Sequence, residues 1–419
     1  MSLSIGLTKA KLKSKCEELG IEAKKEYKED SKDSYGYAIR EYYLNEYYHG
    51  DIPKPLELML KLEAPMAATQ LKNCKPEVQE KVWTSEEYFL EEKLDGVRQL
   101  LFFIDNDFKT YSRNLSDTDL LPIEYASKIY HECDFSKLEH SFILDSECVS
   151  MNPNISTIIG KRGVWTETQL QAVQALLSMN SEDSIRLQKE QNTPLKFYAF
   201  DCIYYDGVWL LDHPLVERRK YLKKALAELQ SIGFKVEIPL SNISNKKAFY
   251  KKLISEGKEG CIAKYIYGTY HATTSRTHRQ WIKLKRSMSE ALTDEGAGDT
   301  VDAFITGFLR GTEGKAYADM VGALQVSCYL LDEFGRKRIH HIATISSFDL
   351  TLRKEITEYD ENNQPRLKAE YYNKVVEIDG QSISARTKRL RHAVLVRFRP
   401  DKNRDDCVLE ENFINSMIL

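Results

Sequence analysis

The sequence predicts an α+β fold in which a small helical region precedes a central domain of strands and helices and a C-terminal β-barrel. Three observations support this prediction. Strand-like apolar runs dominate residues 61–285, amphipathic helical runs interrupt them, and short strands separated by glycine-bearing turns follow residue 300. With 419 residues, 42% of them hydrophobic, the chain is long enough for two or three domains. We place these domains at residues 1–60, 61–292 and 300–419.

The first 60 residues are predicted to form the helical region. Apolar residues recur at helical spacing in residues 7–19, and a second helix is expected in residues 39–48. Residues 5–22 resemble the first helix of a SAP-type DNA-binding motif, although a simple packing element fits them as well. Residues 51–55 are predicted to be a linker, because each proline disfavours helix in the residue before it.

The central domain is predicted from strands that alternate with helices. One helix is expected in residues 166–179, with Thr166 and Gln169 in the positions of a capping box, and another in residues 214–232. The predicted strands are residues 100–104, 142–144, 195–203 and 261–265.

The C-terminal domain is expected to begin after a hinge. Residues 293–300 are rich in glycine and acid and poor in apolar side chains, which is typical of such a connection. The strands predicted beyond it, residues 301–309, 321–331, 374–378 and 393–399, are those of a small β-barrel.

Charge and hydropathy exclude several classes of protein. The sequence has no run of about 18 apolar residues that could span a bilayer, and its first 20 residues lack the apolar core of a signal peptide, so we expect an intracellular protein without a membrane partner. The net charge of −3 does not indicate a nucleic-acid partner by itself. Residues 386–404, however, carry eight lysines or arginines against one acid, which fits either a phosphate-binding surface or a solvated face.

The most distinctive local feature is the segment from Glu91 to Arg98, a loop between two apolar strands that contains Lys93, Asp95 and Gly96. A lysine in a loop is normally a solvated charge, and this segment alone would fit a plain hairpin turn. A lysine that attacks phosphorus must first lose its proton, and desolvation or nearby cations, including a metal ion, lower its pKa.

Together with later segments, this loop resembles the ATP-dependent DNA ligases, which share a superfamily of covalent nucleotidyltransferases with RNA ligases and mRNA capping enzymes. Lys93, Asp95, Gly96 and Arg98 match the K-x-D-G-x-R pattern of DNA ligases. The resemblance covers roughly residues 62–405 and implies an adenylyltransferase domain of antiparallel sheets with flanking helices, followed by an OB-fold domain. It also implies that the Lys93 amine attacks the α-phosphate of ATP and holds AMP as a phosphoramidate.

Further segments extend the resemblance within the central domain. Arg113 takes the place of an arginine that approaches nucleotide phosphates or the 5′-phosphate of DNA, although an exposed arginine at a strand end is the plain alternative. Glu147 takes the place of a glutamate that binds the ribose or supports the metal, with Ser146 where many members have glycine. Phe200 takes the place of an aromatic residue that stacks on the purine, although aromatic residues in strands are usually core.

The remaining elements follow in the order typical of the family. Glu259 matches a glutamate that binds or supports Mg²⁺. Lys283 and Lys285 alternate with apolar residues and therefore share one face of a strand, where they would neutralise phosphate charge; two solvated lysines on an edge strand are the alternative. Arg276 or Arg279 would assist them.

The resemblance therefore implies a complete site. Arg399 and Lys402 match an R-x-D-K element that orients pyrophosphate when the OB domain closes. The implied catalytic residues are Lys93, Lys283 and Lys285, the implied Mg²⁺ ligands are Glu147 and Glu259, and the implied nucleotide-binding residues are Glu91, Arg98, Arg113, Glu147, Phe200, Glu259, Lys283, Lys285, Arg399 and Lys402.

The function implied is that of a monomeric DNA ligase that uses ATP and Mg²⁺ to seal nicked duplex DNA in three phosphoryl transfers. An RNA ligase or a GTP-using capping enzyme is the first alternative, and an inactive nucleic-acid-binding scaffold is the second. NAD⁺ is disfavoured as the nucleotide donor, because we see neither the extra nicotinamide-binding domain nor the cysteine-rich zinc module of NAD⁺-type ligases. The short N-terminal region suggests a compact viral, phage or bacterial enzyme.

Overall fold

The computed structural model describes residues 7–28, 30–159, 162–166, 168–192, 194–256, 258–273, 278–285, 300–332, 334–380, 382–384 and 387–410. The chain divides into two compact units, Met1–Leu284 and Lys285–Leu419. The predicted α+β class is confirmed, with an OB-like second unit. The predicted hinge lies outside the described residues except for Thr300, and the boundaries proposed at residues 60 and 292 stay predictions.

The first unit contains helices that flank two main sheets. Its helices are α1 (Lys9–Leu19), α2 (Lys32–Tyr48), α3 (Lys54–Lys61), α4 (Pro76–Thr84), α5 (Gln169–Ser178), α6 (Ser181–Glu190), α7 (Leu215–Ser231) and α8 (Lys246–Ser255). Its strands are β1 (Thr69–Gln70), β2 (Tyr88–Glu92), β3 (Val97–Ile104), β4 (Asp107–Leu115), β5 (Pro122–Glu124), β6 (Phe142–Ser150), β7 (Ile155–Ile159), β8 (Arg162–Thr166), β9 (Leu195–Tyr205), β10 (Val208–Trp209), β11 (Val236–Glu237), β12 (Ser241–Asn242), β13 (Gly260–Tyr265) and β14 (Trp281–Lys285).

Local hydrogen bonds and the position of a proline explain three departures from the predicted elements. Helix α2 begins at Lys32 because Ser31 and Ser34 form a reciprocal capping box. The linker prediction is wrong from Lys54 onward, because α3 begins there and a proline is tolerated in the first turn of a helix. The capping role predicted for Thr166 is also wrong: Thr166 ends β8 and donates to the Pro153 carbonyl (2.6 Å), whereas Thr168 caps α5.

The smaller of the two main sheets has one apolar and one polar face. Its strand order is β1-β14-β13-β2-β12. Leu90, Ala263 and Leu284 pack into a core with α4 and α8 on the apolar face. Because successive side chains of a strand point to opposite faces, Glu91 and Lys264 lie on the other face.

The larger sheet packs on both of its faces. Its strand order is β10-β9-β6-β3-β4-β5, with β11 beside β9. Leu101 and Leu144 face a core shared with α5 and α7. On the opposite face, Phe102 and Ile143 share a second core with Trp281 of β14. The polar face of the smaller sheet therefore lies against the larger sheet. Glu91 and Phe200, both predicted site residues, lie at this interface on either side of Lys264.

The second unit is built on a six-stranded sheet in which β24 pairs with β16 beside the order β17-β16-β15-β20-β23. Its elements enclose a single main core. The elements are β15 (Val301–Arg310), β16 (Val321–Leu331), β17 (Lys337–Ile345), α9 (Leu350–Ile356), β18 (Thr357–Tyr359), β19 (Pro365–Leu367), β20 (Val375–Asp379), β21 (Ser382–Ile383), β22 (Leu390–Arg391), β23 (Val394–Phe398) and β24 (Val408–Glu410). Among the described residues, no helix is long and apolar enough to cross a bilayer.

Candidate active site

Lys93 lies one residue beyond β2, beside the start of β13. The Lys93 backbone N–H donates to the Gly260 carbonyl (2.9 Å), which continues the pairing of β2 with β13. The Lys93 ammonium contacts the Glu259 carboxylate, and the two side chains are 20% and 11% exposed. The side chain of Lys93 is therefore directed at a carboxylate rather than at bulk water.

Gly96 allows the Lys93 loop to lie directly against β6. A Cβ atom at this position would lie 2.2 Å from the Cys148 carbonyl oxygen and 2.9 Å from Cγ of Glu147. Backbone at such a distance cannot give way, so only glycine fits here. The loop therefore holds Lys93 and Glu147 close together.

Glu147 is the electrostatic neighbour of both Lys93 and Glu259. Burial raises the pKa of the Glu147 carboxyl to about 7 and the Glu259 carboxylate adds to this rise, although the Lys93 ammonium and the Arg98 guanidinium oppose it. Strand pairing places Glu147 opposite Arg98 of β3. The structure thus brings Lys93, Glu147 and Glu259 into one group at the interface of the two sheets.

Two carboxylates fit a Mg²⁺ ion whose remaining ligands come from substrate phosphates and water. Mg²⁺ is commonly held by one or two carboxylates together with phosphate oxygens rather than by a cage of protein ligands. Within the described part of the chain, no group of three or more His, Cys, Asp or Glu side chains could hold a metal ion. A metal at Glu147 and Glu259 would therefore depend on the nucleotide.

Arg98 is engaged in a buried ion pair with Asp145. Its Nε and Nη2 donate to the two carboxylate oxygens of Asp145 (2.9 and 2.5 Å), and its Nη1 donates to the Met66 carbonyl (2.6 Å). Tyr270 Oη also donates to Asp145 (2.6 Å). Because these bonds use much of the guanidinium, the geometry supports a structural role for Arg98, and its contact with the nucleotide stays a prediction.

Asp145 and Tyr270 were not among the predicted site residues. Asp145 is fully buried and lies two residues before Glu147, so both carboxylates share one face of β6. An acid in an apolar strand needs a partner, and this was the available signal for Asp145. Tyr270 is distant in sequence and carried no signal.

Glu91 is buried and ion-paired on the polar face of the smaller sheet. Its carboxylate contacts the Lys264 ammonium and the Arg219 guanidinium. Burial lowers the pKa of Lys264 to about 8, although Glu91 opposes this effect. Arg219 and Lys264 were also absent from the predicted site, because their contacts with Glu91 join residues that are 128 and 173 positions apart.

Phe200 is partly buried beside this ion cluster. The Lys264 ammonium lies 4.3 Å from the centre of the Phe200 ring and 4.5 Å from that of Trp281. Trp281 meets Phe200 edge to face at 5.7 Å. The predicted aromatic residue therefore lies where the two sheets meet, and its stacking on a purine stays a prediction.

The other predicted residues of the first unit lie on or beside β4 and β14. Arg113 is exposed on β4. Lys283 is partly buried on β14, and strand alternation places it on the same face as Trp281. The side chain of Lys285 and the whole of Arg276 lie outside the described residues, and Arg279 precedes β14.

In the second unit, Arg399 and Lys402 are held by carboxylates. Nη1 of Arg399 contacts Asp302 (3.2 Å) and its Nη2 contacts Asp401 (2.8 Å). The Lys402 ammonium contacts Asp302 as well. The structure thus pairs both predicted cations within their own unit, through Asp302, which sequence reasoning missed.

Comparison with known proteins decides the family. The model of the ATP dependent DNA ligase domain matches residues 65–285. The chain belongs to this family. The matched region of this ligase-family chain runs from just before β1 to the end of β14, and it includes Lys93, Glu147 and Glu259.

Curated ligases and a solved structure extend this finding. A probable DNA ligase of Dictyoglomus thermophilum is 31% identical over 243 residues, which span 57% of this chain and 37% of that protein. DNA ligase 2 of Korarchaeum cryptofilum is 30% identical over 274 residues, spanning 64% and 41%. The chain thus covers about two fifths of these ligases. The solved structure of Pmar-Lig_PreS3 shares the fold, with a TM-score of 0.53 and 16% identity over 83% of this chain and 71% of that one.

Proposed function

We propose that the chain is an ATP-dependent DNA ligase, which acts as an intracellular monomer and seals nicks in duplex DNA through AMP bound to Lys93. One observation carries the proposal: the Lys93 ammonium contacts Glu259 and lies in the electrostatic field of Glu147, at the interface of two sheets. Membership of the ligase family supports it.

In the first step, the deprotonated Lys93 amine attacks the α-phosphorus of ATP. A P–N bond forms, the bond from the α-phosphorus to the pyrophosphate oxygen breaks, pyrophosphate leaves, and the nitrogen releases one proton to solvent. Glu147 and Glu259 are the residues that would hold Mg²⁺, which would neutralise phosphate charge and help to align the groups. Lys283 and Lys285 would add positive charge at the α-phosphate.

Residues around Glu91 and Phe200 would receive the base. The Phe200 ring would contact the purine, and Arg219 and Lys264 hold the Glu91 carboxylate close to it. A carboxylate held in this way accepts hydrogen bonds and is suited to the exocyclic amine of adenine. A carboxylate would also accept hydrogen bonds from guanine, so the proposed use of ATP rather than GTP rests on the family match.

In the second and third steps, the nick is activated and closed. AMP passes from Lys93 to the 5′-phosphate of the DNA, and the 3′-hydroxyl then displaces AMP to form the phosphodiester. Arg113 would contact the 5′-phosphate, whereas Arg399 and Lys402 would orient pyrophosphate in the first step. Binding to the duplex would be directed at phosphates, so its affinity falls as salt rises.

Labelled nucleotides test this proposal. The purified chain is incubated with Mg²⁺ and α-labelled ATP or GTP and then offered nicked DNA or nicked RNA. We expect covalent labelling from ATP, sealing of nicked DNA and no labelled adduct in Lys93→Ala. Lys258→Ala is the matched control, because Lys258 is also ion-paired near this strand end, with Glu92 at 3.0 Å, and it should still form the adduct.

Each alternative gives a different result. Labelling from GTP, or sealing of RNA alone, would point to a capping enzyme or an RNA ligase. The absence of any adduct on the wild-type chain would point to an inactive scaffold.

A further inference from the structure

Helices α1 and α2 contact the turn that links β4 to β5, which consists of residues 116–121. Leu120 of this turn is fully buried in the same apolar cluster as Leu12 of α1 and Ile39 of α2. Its backbone has a φ of 58°, in the left-handed region that residues with a side chain rarely adopt. Such a conformation persists only where its surroundings enforce it, and here the two helices provide these surroundings.

Polar contacts hold the same turn. Arg40 of α2 is 4% exposed, and its Nε donates to the Leu120 carbonyl (3.0 Å). Lys15 of α1 contacts the Thr118 carbonyl. The helices therefore fix both the backbone and the side chain of the turn.

The turn is continuous with the bulge that carries Arg113. Strands β4 and β5 pair at Tyr111 with Glu124 and again at Leu115 with Pro122, and their register shifts in between. Arg113 lies between these two pairs, and its side chain is exposed. A bulge redirects a side chain, and its geometry depends on the pairs that flank it.

Leu115 connects the bulge to the helices. It packs against the core at the interface of the two sheets and also against the cluster that contains Leu120. A displacement of the turn would therefore move Leu115 and, with it, Arg113. Residues 93–96, the Lys93 loop, contribute no side chain to the cluster that contains Leu120, although β3 beyond the loop pairs with β4.

We infer that residues 7–50 are a positioning module for Arg113, which sets how tightly the enzyme holds the 5′-phosphate strand of a nick and leaves the reaction with ATP unchanged. This inference rests on the proposed function. An exposed arginine outside the partly buried group of Lys93, Glu147 and Glu259 is placed to meet a phosphate of a macromolecule. Leu120 and Arg40 act through Arg113 and are positioning residues.

Two variants of the full chain test the inference. Leu120→Ala removes the packing, and Arg40→Met removes the hydrogen bond while retaining most of the side-chain volume. For both we expect the KM for nicked duplex to rise about tenfold, the scale of one lost hydrogen bond to a charged group, with an unchanged rate of Lys93 adduct formation. Leu187→Ala is the control: Leu187 is 1% exposed in another core of the same unit, and its loss should leave the KM for nicked DNA unchanged.

A double-mutant cycle with Arg113→Ala separates positioning from general damage. The double variant Arg113→Ala, Leu120→Ala should bind nicked DNA no more weakly than Arg113→Ala alone. Additive losses, or a parallel loss of adduct formation in both Leu120→Ala and Arg40→Met, would overturn the inference while the ligase proposal stands. A wild-type chain that forms the adduct but does not seal nicked DNA would instead contradict the proposed function, and this inference with it.

Discussion

At the scale of single residues, Gly96 cannot accept a side chain unless the loop moves. Any side chain here would meet the Cys148 carbonyl, so Gly96→Ala must push the loop and Lys93 away from Glu147 and Glu259. A displacement of about 1 Å costs a reacting group about 100-fold in rate. We expect a loss of this size in the single-turnover rate of adduct formation. Gly163→Ala is the control, since a Cβ there meets nothing within 4 Å; equal rates for the two variants would contradict this account of the loop.

Substitution of Tyr270 tests the hydrogen bonds around the buried ion pair of Arg98 and Asp145. Tyr270→Phe removes the hydrogen bond that this hydroxyl donates to the fully buried Asp145 carboxylate, together with the bonds that it accepts from the Met66 N–H (3.1 Å) and from Arg98 Nη2 (3.4 Å). We expect the free energy of unfolding to fall by about 2 kcal/mol, because a hydrogen bond to a buried charged group is worth this much. Urea denaturation measures it, and a change below about 0.5 kcal/mol, the usual scale for neutral surface substitutions, would argue against the assigned contact.

Because Lys264 is buried, we expect the free energy of unfolding to depend on pH. Its pKa is lowered by burial from 10.5 to about 8, so between these pH values the unfolded chain binds the extra proton and the folded chain does not. The contribution of Lys264 to stability therefore rises as the pH rises through this window. We expect the difference in the free energy of unfolding between the wild-type chain and Lys264→Met to shift by roughly 2 kcal/mol in favour of the wild-type chain between about pH 8 and 10. Urea denaturation at several pH values measures the difference, and a difference independent of pH would show that the pKa is not lowered.

At the scale of elements, Lys246 joins α8 to the start of β2. Its ammonium donates to the carbonyls of Val82 at the end of α4 (3.0 Å) and of Tyr88 at the start of β2 (2.7 Å). Lys246→Met would leave these buried carbonyls without their donor, so we expect about 2–3 kcal/mol of destabilisation. Lys247→Met, at the exposed neighbouring position, should change stability by less than about 0.5 kcal/mol. Chemical denaturation compares the two, and similar values would contradict the assigned role.

Strand periodicity explains what could be predicted at this scale. Alternation predicted a strand that carries Lys283 and Lys285 on one face, and the structure has this strand as β14, in which Lys283 alternates with buried apolar side chains. The loop from Lys93 to Gly96 was predicted for the same reason, since apolar strands flank it. The contacts between residues distant in sequence were not predictable. Those of Glu91 with Lys264 and Arg219 depend on tertiary packing, which leaves no local pattern in the sequence.

Local capping chemistry accounts for the errors in element boundaries. Thr166, the predicted cap, pairs with Ile155 in the β7–β8 ladder, and Thr168 caps α5 in its place. The start of α2 was missed because its first turn lacks an apolar stripe, although Ser31 and Ser34 form the cap. In each case tertiary or side-chain hydrogen bonds outweigh the apolar pattern.

At the scale of the whole molecule, three cations of the basic run are paired with carboxylates of the second unit. Arg397 pairs with Glu377 (2.7 Å), and Arg399 and Lys402 pair with Asp302. The basic run predicted in residues 386–404 is therefore less positive than its composition indicates, and Arg386 lies outside the described residues. For Arg399 or Lys402 to bind phosphate, phosphate oxygens must replace these carboxylates.

The most direct test of the account is the position of the covalent AMP. The chain is incubated with ATP and Mg²⁺, digested and mapped by tandem mass spectrometry. The account predicts one AMP per chain, bound through nitrogen to Lys93. AMP on another lysine, such as Lys258 or Lys264, or a chain that stays unmodified, would contradict it.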